Sequence, residues 1–304
     1  MEILKFLASI RIPILDEIML AVTAFGDETA FLVAAIIMFW CVDKRKGYYI
    51  LSIGFIGTIA NQFMKLLCRV PRPWVKQPGI AVEGALEGAG GYSFPSGHSQ
   101  SSVGTFGGIA AVTKNKIVKG LCIAICVLVP FSRMYLGVHT PQDVLVGSAM
   151  AVALIFIMRP LILGNDGKRI QIVLGVMTVL AIAYLGYVEL YPFPADIDTH
   201  NLTSGTKNAY TLVGALLGFL IVYFVDETYL HFTVDAVWWA QILKVVIGLL
   251  LVLGVKEGMR GLLDLLPGEY IGRLVRYFLV VIMAGIVWPL SFRWFSSLGK
   301  KERI

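Results

Sequence analysis

One twelve-residue stretch, Ser132-Arg133-Met134-Tyr135-Leu136-Gly137-Val138-His139-Thr140-Pro141-Gln142-Asp143, sets an arginine, a histidine and an aspartate between two apolar segments. Charge in such a setting needs a partner. Thr140-Pro141-Gln142-Asp143 reads as a helix start, with threonine as N-cap, proline at the first helical position and an acid in the first turn. His139 then lies just outside that helix, on the side of Asp143. A carboxylate in reach holds an imidazole in one tautomer and leaves the other ring nitrogen to act as nucleophile or base. The same residues also fit a capping acid beside a surface histidine. The stretch alone allows both readings.

Two further patterns carry the same kind of chemistry. Lys65-Leu66-Leu67-Cys68-Arg69-Val70-Pro71-Arg72-Pro73 closes one apolar segment, and Pro95-Ser96-Gly97-His98 opens another. Lys65, Arg72 and Arg133 are three cations without matching carboxylates close in sequence. Arginine forks match the paired oxygens of a phosphate. Ser96, Gly97 and His98 place backbone N–H groups at a helix start, where anions bind, and Gly97 lets a ligand approach the backbone. Each pattern alone has a plainer reading, as a snorkelling cation or a turn before a helix. Together they put two histidines on one bound phosphate, one to attack phosphorus and one to protonate the departing oxygen. Asp143 favours the first role for His139, which leaves the second for His98.

The elements that must position these residues are membrane spans. Of the 304 residues, 57% are hydrophobic and only 15% charged, and the mean hydropathy is +0.77. A soluble domain would be nearer half apolar and a quarter charged. Nine apolar segments of crossing length are expected near 28–42, 48–69, 96–113, 117–135, 141–159, 170–189, 208–225, 236–255 and 272–292. Gly104, Gly107 and Gly108 in the third predict close helix packing. The net charge of +6 then points to inner-loop lysines and arginines and away from nucleic acid. Thirteen of these, among them Lys44, Arg45, Lys46, Lys300, Lys301 and Arg303, fall on one side and ten on the other. The bias puts the C-terminus in the cytoplasm and all three patterns on the outer face. Residues 1–27 read as an interfacial helix; if they also cross, the N-terminus changes side and the face of the site does not. Cys41, Cys68, Cys122 and Cys126 read as packing residues, with no metal-ligand company.

Lys65-x6-Arg72-Pro73, Pro95-Ser96-Gly97-His98 and Ser132-Arg133-x5-His139-x3-Asp143 resemble, position by position and in order, the three signature motifs of the type-2 phosphatidic acid phosphatase family. The resemblance covers roughly residues 45–160. It implies a helical core of at least six helices, which with the expected crossings makes an all-α, polytopic transmembrane bundle: a six-helix phosphatase core over 28–190 and about three extra transmembrane helices over 191–304. It implies a phosphatase that needs no metal or other cofactor and works through a phosphohistidine. By position, Lys65, Arg72, Ser96, Gly97 and Arg133 would bind phosphate. His139 would be the nucleophile, Asp143 its orienting partner and His98 the general acid. Ser132 belongs to the motif without an assigned role.

A site at the bilayer edge favours a lipid phosphate or diphosphate among membrane lipids, of the phosphatidate, phosphatidylglycerophosphate or polyprenyl diphosphate type. The expected location is the cell membrane, with the site on the non-cytoplasmic face. A soluble sugar phosphate is the alternative, because nine spans with an outer N-terminus also resemble the glucose-6-phosphatase branch. A non-enzymatic anion-binding or transport protein would need the cations but not the paired histidines. The glycine-rich loop from Gly79 to Gly91, with Glu83 and Glu87, is expected to roof the entrance. In the last third, Lys244 is an intramembrane cation that we read as structural. Glu189, Asp196, Asp198 and His200 read as a solvated loop. The C-terminal helices leave room for an acyl pocket or a homodimer contact.

Overall fold

The computed structural model describes residues 1–164 and 166–298. Among them there are helices and turns and no strand. Among the described residues, seven helices are long and apolar enough to cross a bilayer: Lys44–Lys76, Lys116–Tyr135, Pro141–Ile162, Gly167–Leu190, Thr199–Leu230, Trp238–Leu263 and Ile271–Ser297. The last three are the expected C-terminal crossings. An eighth crossing is available from two shorter helices, Pro13–Gly26 and Glu28–Val42, joined at a 53° bend. The expected all-α polytopic bundle is therefore what the chain forms. Lys300, Lys301 and Arg303, part of the charge bias, lie outside the described residues.

Two of the nine expected crossings come out differently. Residues 28–42 are the second arm of the bent pair, not an independent span. The 96–113 segment is helical from Gly97 to Val112, with a π-helical turn at Val103–Gly107. Sixteen residues span roughly 24 Å at 1.5 Å per residue, short of the ~30 Å hydrocarbon core. Its first turns are polar, and Ser99, Gln100, Ser102 and Thr105 are buried by protein. It is an inner helix that other helices screen, so it need not be apolar along its whole length.

The chain forms two compact units, each assembled from separated stretches. They divide it differently from the sequence-ordered segments 1–27, 28–190 and 191–304. One unit comprises Met1–Ala34, Tyr49–Pro160 and Pro192–Gly205, and it contains all three motifs. Its glycines pack as their spacing predicts: a Cβ on Gly104, Gly107 or Gly108 would come within 3.0 Å of Ile53, Ile155 or Ile50. Met19, Ala85, Ala89, Tyr135, Leu136 and Val138 form an apolar cluster that ties the glycine-rich loop to the N-terminal helix and to the third motif. Arg11 reinforces this tie. Its guanidinium donates to the carbonyl of Ile80 at 2.8 Å and to that of Tyr135 at 2.9 Å.

The other unit comprises Ala35–Tyr48, Leu161–Tyr191 and Thr206–Ile304. Lys244 is fully buried there, donates to the Val234 carbonyl at 3.0 Å and lies 4.5 Å from the Phe292 ring centroid. Carbonyl and ring together satisfy the cation locally, which fits the structural reading. A second buried charge, Asp226, accepts from Lys44 at 2.7 Å. All four cysteines are free, and Cys122 is buried. Cys68 departs from the packing role expected of it: it is exposed, as the last residue of its helix.

Candidate active site

The third motif folds as its residue types require. Thr140 and Asp143 cap each other's backbone: Thr140 N–H donates to Asp143 Oδ2 at 2.7 Å, and Asp143 N–H to Thr140 Oγ1 at 3.4 Å. Asp143 Oδ2 also accepts from Ser93 Oγ at 2.6 Å and stands 3.4 Å from His139 Nδ1. The capping carboxylate is thus also the acid nearest His139, within ion-pair distance of Nδ1 although Nδ1 makes no hydrogen bond, and the two readings of this stretch are compatible. His139 is 1% exposed, and its backbone is held by bonds from Val138 and His139 N–H to the Arg133 carbonyl. On the far side of the ring, Nε2 lies 2.8 Å from Arg72 Nη1. Arginine can only donate, so Nε2 accepts, and the tautomer assigned by this geometry carries its proton on Nδ1, towards Asp143.

The first motif reaches the same place from the end of the Lys44–Cys68 helix. Arg69 takes a left-handed conformation (φ 50°) that ends the helix and turns the chain into Val70-Pro71-Arg72. Arg72 then donates to the carbonyls of Gly91 (2.9 Å), Gly90 (2.6 Å) and Val138 (3.2 Å). Lys65, also buried, donates to the carbonyl of Tyr92. The glycine-rich loop thus holds Arg72 through the carbonyls of Gly90 and Gly91, and the next residue, Tyr92, holds Lys65, as backbone carbonyls can without neutralising a cation. Gly88 closes over His98, where an added Cβ would lie 4.0 Å from Nε2.

The second motif starts the inner helix. Ser96 is the N-cap, its Oγ accepts from Ser99 N–H at 3.4 Å, and its own N–H donates to the Asp143 carbonyl at 2.9 Å. A Cβ on Gly147 would come 2.5 Å from the Ser96 carbonyl, so only glycine lets the Pro141–Ile162 helix approach this closely. Gly97 has no Cβ to fill the space before the helix start, and the nearest group is Asn61 Oδ1, at 3.6 Å from that position. Asn61 Nδ2 bonds the Pro95 carbonyl at 3.4 Å and steadies the turn.

Arg133 completes the set. It is 1% exposed, and Nη1 donates to Thr23 Oγ1 at 2.7 Å, while Nε and Nη2 have no hydrogen-bond partner within the protein. A buried guanidinium with two unused donors is costly unless an anion meets it. The charges of Arg72, Arg133 and Lys65 all act on His139. Together with burial, which is the largest cause, they hold its pKa well below the usual histidine range. The imidazole is therefore neutral at neutral pH, as a nucleophile must be. The fold brings all eight expected residues into one constellation: Lys65, Arg72, Ser96, Gly97, His98, Arg133, His139 and Asp143.

Two contributors carried no signal in the sequence. Thr23 and Asp27 come from the N-terminal stretch read as an interfacial helix. Thr23 bonds Arg133, and Asp27 Oδ1 lies 2.7 Å from His98 Nε2. Only an aspartate breaking an apolar run, in Ala24-Phe25-Gly26-Asp27, hinted at this.

The neutral state of His139 has a direct readout. In ¹⁵N-histidine spectra assigned with His139→Gln, its ring is expected to keep the neutral Nδ1–H pattern as pH falls through about 6.5, the ordinary histidine value. A depressed pKa means that protonation, and with it the acid limb of kcat/KM, comes at lower pH. A midpoint at or above the ordinary value would show that the cations do not act on this ring.

Comparison with known proteins identifies the family to which these motifs belong. The PAP2 superfamily matches residues 45–166, and the family described as "PAP2 superfamily phosphatase, transmembrane extension" matches residues 210–301. Phosphatidylglycerophosphatase B of Bacillus subtilis (strain 168) is 32% identical over 165 residues, covering 49% of this chain and 76% of that protein. Undecaprenyl-diphosphatase BcrC of the same organism is 29% identical over 146 residues, covering 47% and 73%. Sphingosine-1-phosphate phosphatase 1 of Rattus norvegicus is 25% identical over 263 residues, covering 78% of this chain and 58% of that protein. No solved structure matches the chain significantly. The motif-bearing core and the helices that follow it thus both have counterparts, and the chain belongs to the PAP2 superfamily of phosphatases, with that superfamily's transmembrane extension.

Proposed function

We propose that this membrane phosphatase hydrolyses a lipid phosphate or diphosphate through a phosphohistidine on His139. The observation that carries the reading is the buried Arg133 with its unused Nε and Nη2 donors, beside a second cation, Arg72, that touches the neutral nitrogen of His139. A phosphoryl group placed there meets donors for its oxygens and a lone pair for its phosphorus. Lys65, Arg72, Arg133 and the Ser96–Gly97 helix start bind the oxygens. His139 Nε2 attacks phosphorus, the bond to the leaving oxygen breaks, and His98 gives that oxygen its proton. An alcohol leaves, or a monophosphate if the substrate is a diphosphate. Water then attacks the phosphohistidine, His98 takes a proton from it, the N–P bond breaks and inorganic phosphate departs. Asp143 steadies the positive charge that His139 acquires.

The lipid class is supported by three relatives whose names give lipid phosphates or diphosphates as substrates. It is also supported by a site assembled at the ends of membrane helices, where a headgroup enters while its chains stay in lipid. Segment 28–190, with Thr23 and Asp27 reaching in from the N-terminal stretch, acts as the catalytic core and 191–304 as the extension, in the cell membrane. The excess of inner-loop lysines and arginines supports a site on the outer face and a C-terminus inside.

A panel of phosphatidate, phosphatidylglycerophosphate, a polyprenyl diphosphate, sphingosine 1-phosphate and glucose 6-phosphate in detergent tests the class. Turnover of at least one lipid substrate is expected to exceed that of glucose 6-phosphate by about 10²-fold or more, since remote binding energy drives the chemical step. Equal or faster turnover of the sugar phosphate would overturn the lipid reading. Vanadate, which takes the five-coordinate geometry of the transferring phosphorus, is expected to inhibit all of them.

A further inference from the structure

The two arms of the bent N-terminal pair, Pro13–Gly26 and Glu28–Val42, meet at Asp27, and this bend brings the chain against the second motif. A Cβ on Gly26 would stand 2.9 Å from His98 Cβ and 3.0 Å from the His98 carbonyl, so glycine alone permits the approach. The next residue, Asp27, sets Oδ1 2.7 Å from His98 Nε2, and one turn earlier Thr23 bonds Arg133. Five residues thus touch two different motifs.

We infer that Asp27 is the positioning residue of His98, holding its ring in one orientation and favouring its protonated form so that the second ring nitrogen can serve the leaving oxygen. The inference rests on the proposed role of His98 as proton donor. A proton donor among cations faces a difficulty that its partner His139 does not, because His139 works neutral and His98 must start charged. The charged groups acting on His98 are Arg133, Arg72 and Asp27. Burial, the largest cause, and the two arginines hold its pKa down to about 4, and Asp27 opposes them without offsetting them. Each histidine then has its own carboxylate. Asp143 directs one ring as a neutral nucleophile, and Asp27 equips the other as an acid. The oxygens of a bound phosphate add negative charge and act in the same direction as Asp27.

Asp27 also occupies the N-cap position of the Glu28–Ile37 helix, where its carbonyl accepts from Phe31 N–H at 3.2 Å. Asparagine caps a helix as well as aspartate does. Asp27→Asn therefore keeps the cap and removes only the charge. The test compares kcat/KM on phosphatidate, whose alkoxide leaves poorly without a proton, and on 4-nitrophenyl phosphate, whose phenolate leaves well without one. This parameter covers the steps up to loss of the leaving group, so phosphoenzyme hydrolysis does not enter it. Wild type, Asp27→Asn, Asp27→Glu and His98→Ala are purified in detergent, with vanadate binding as the check that the site has formed.

For Asp27→Asn, kcat/KM on phosphatidate is expected to fall by about 10²-fold, within the range of general-acid effects, and by less than about 10-fold on the aryl ester. The basic limb of its pH profile is expected to move to lower pH, since His98 loses its proton more readily. Asp27→Glu restores part of the phosphatidate rate. An equal loss on both esters, or none, while His98→Ala still discriminates between them, would overturn the role of Asp27 and leave that of His98 standing. If His98→Ala does not discriminate either, the general-acid reading fails and this inference with it.

Discussion

His139→Ala is expected to lower turnover of every substrate by at least about 10⁴-fold, the scale of losing a nucleophile that acts as part of a unit. The reason is geometric. Nε2 is the unprotonated nitrogen of a buried ring, and no other nucleophile is placed to replace it. Thr140 is spent on its helix start, and Ser93 donates to Asp143. Rapid quench of wild type with ³²P-labelled substrate is expected to trap an acid-labile protein adduct, as a phosphohistidine is, and the variant is expected to trap none. Ser93→Ala separates the nucleophile from its support, because it removes one bond to Asp143 and leaves His139 in place. A moderate loss with adduct still formed is expected. Substantial turnover by purified His139→Ala would show that the nucleophile lies elsewhere.

Arg133→Met is expected to give the second large effect, a loss of about 10²–10³-fold in kcat/KM, the cost of removing one preorganised donor from a charge-stabilising site. Its effect on stability should have the opposite sign. Arg133 is buried with two donors unpaired, and methionine replaces its stem without the charge. Asp27 and Thr23 offset only part of the cost of burying this charge, so removing it relieves desolvation and the thermal midpoint without ligand is expected to rise. Vanadate then distinguishes binding from folding. In wild type it raises the midpoint by linkage, and in Arg133→Met that rise is expected to be largely lost. A variant that is both less active and less stable would mean that Arg133 chiefly serves packing. Such opposition between activity and stability is characteristic of functional sites.

The sequence by itself determined the residue types and their local settings. A helix start made of Thr140, Pro141 and Asp143, a serine cap before Gly97, and cations where apolar segments end are local facts that nearest neighbours impose. They survive in the structure because capping and helix termination are satisfied within a few residues. The C-terminal crossings and the packing of Gly104, Gly107 and Gly108 were legible for a similar reason, since length and apolarity alone specify them.

What the tertiary structure decided is everything that depends on residues far apart in the chain. The 96–113 segment is an inner helix because neighbouring helices bury its polar turns, and no local pattern marks that. The loop carbonyls of Gly90, Gly91 and Tyr92 became the holders of Arg72 and Lys65, a role that leaves no mark on side-chain identity. Thr23 and Asp27 entered the site because a bend and a glycine carry the N-terminal helix against His98. A carboxylate seventy-one positions from its histidine has no periodicity to announce it. Only the close approach of backbones shows that His98 and His139 each lie beside an aspartate of their own.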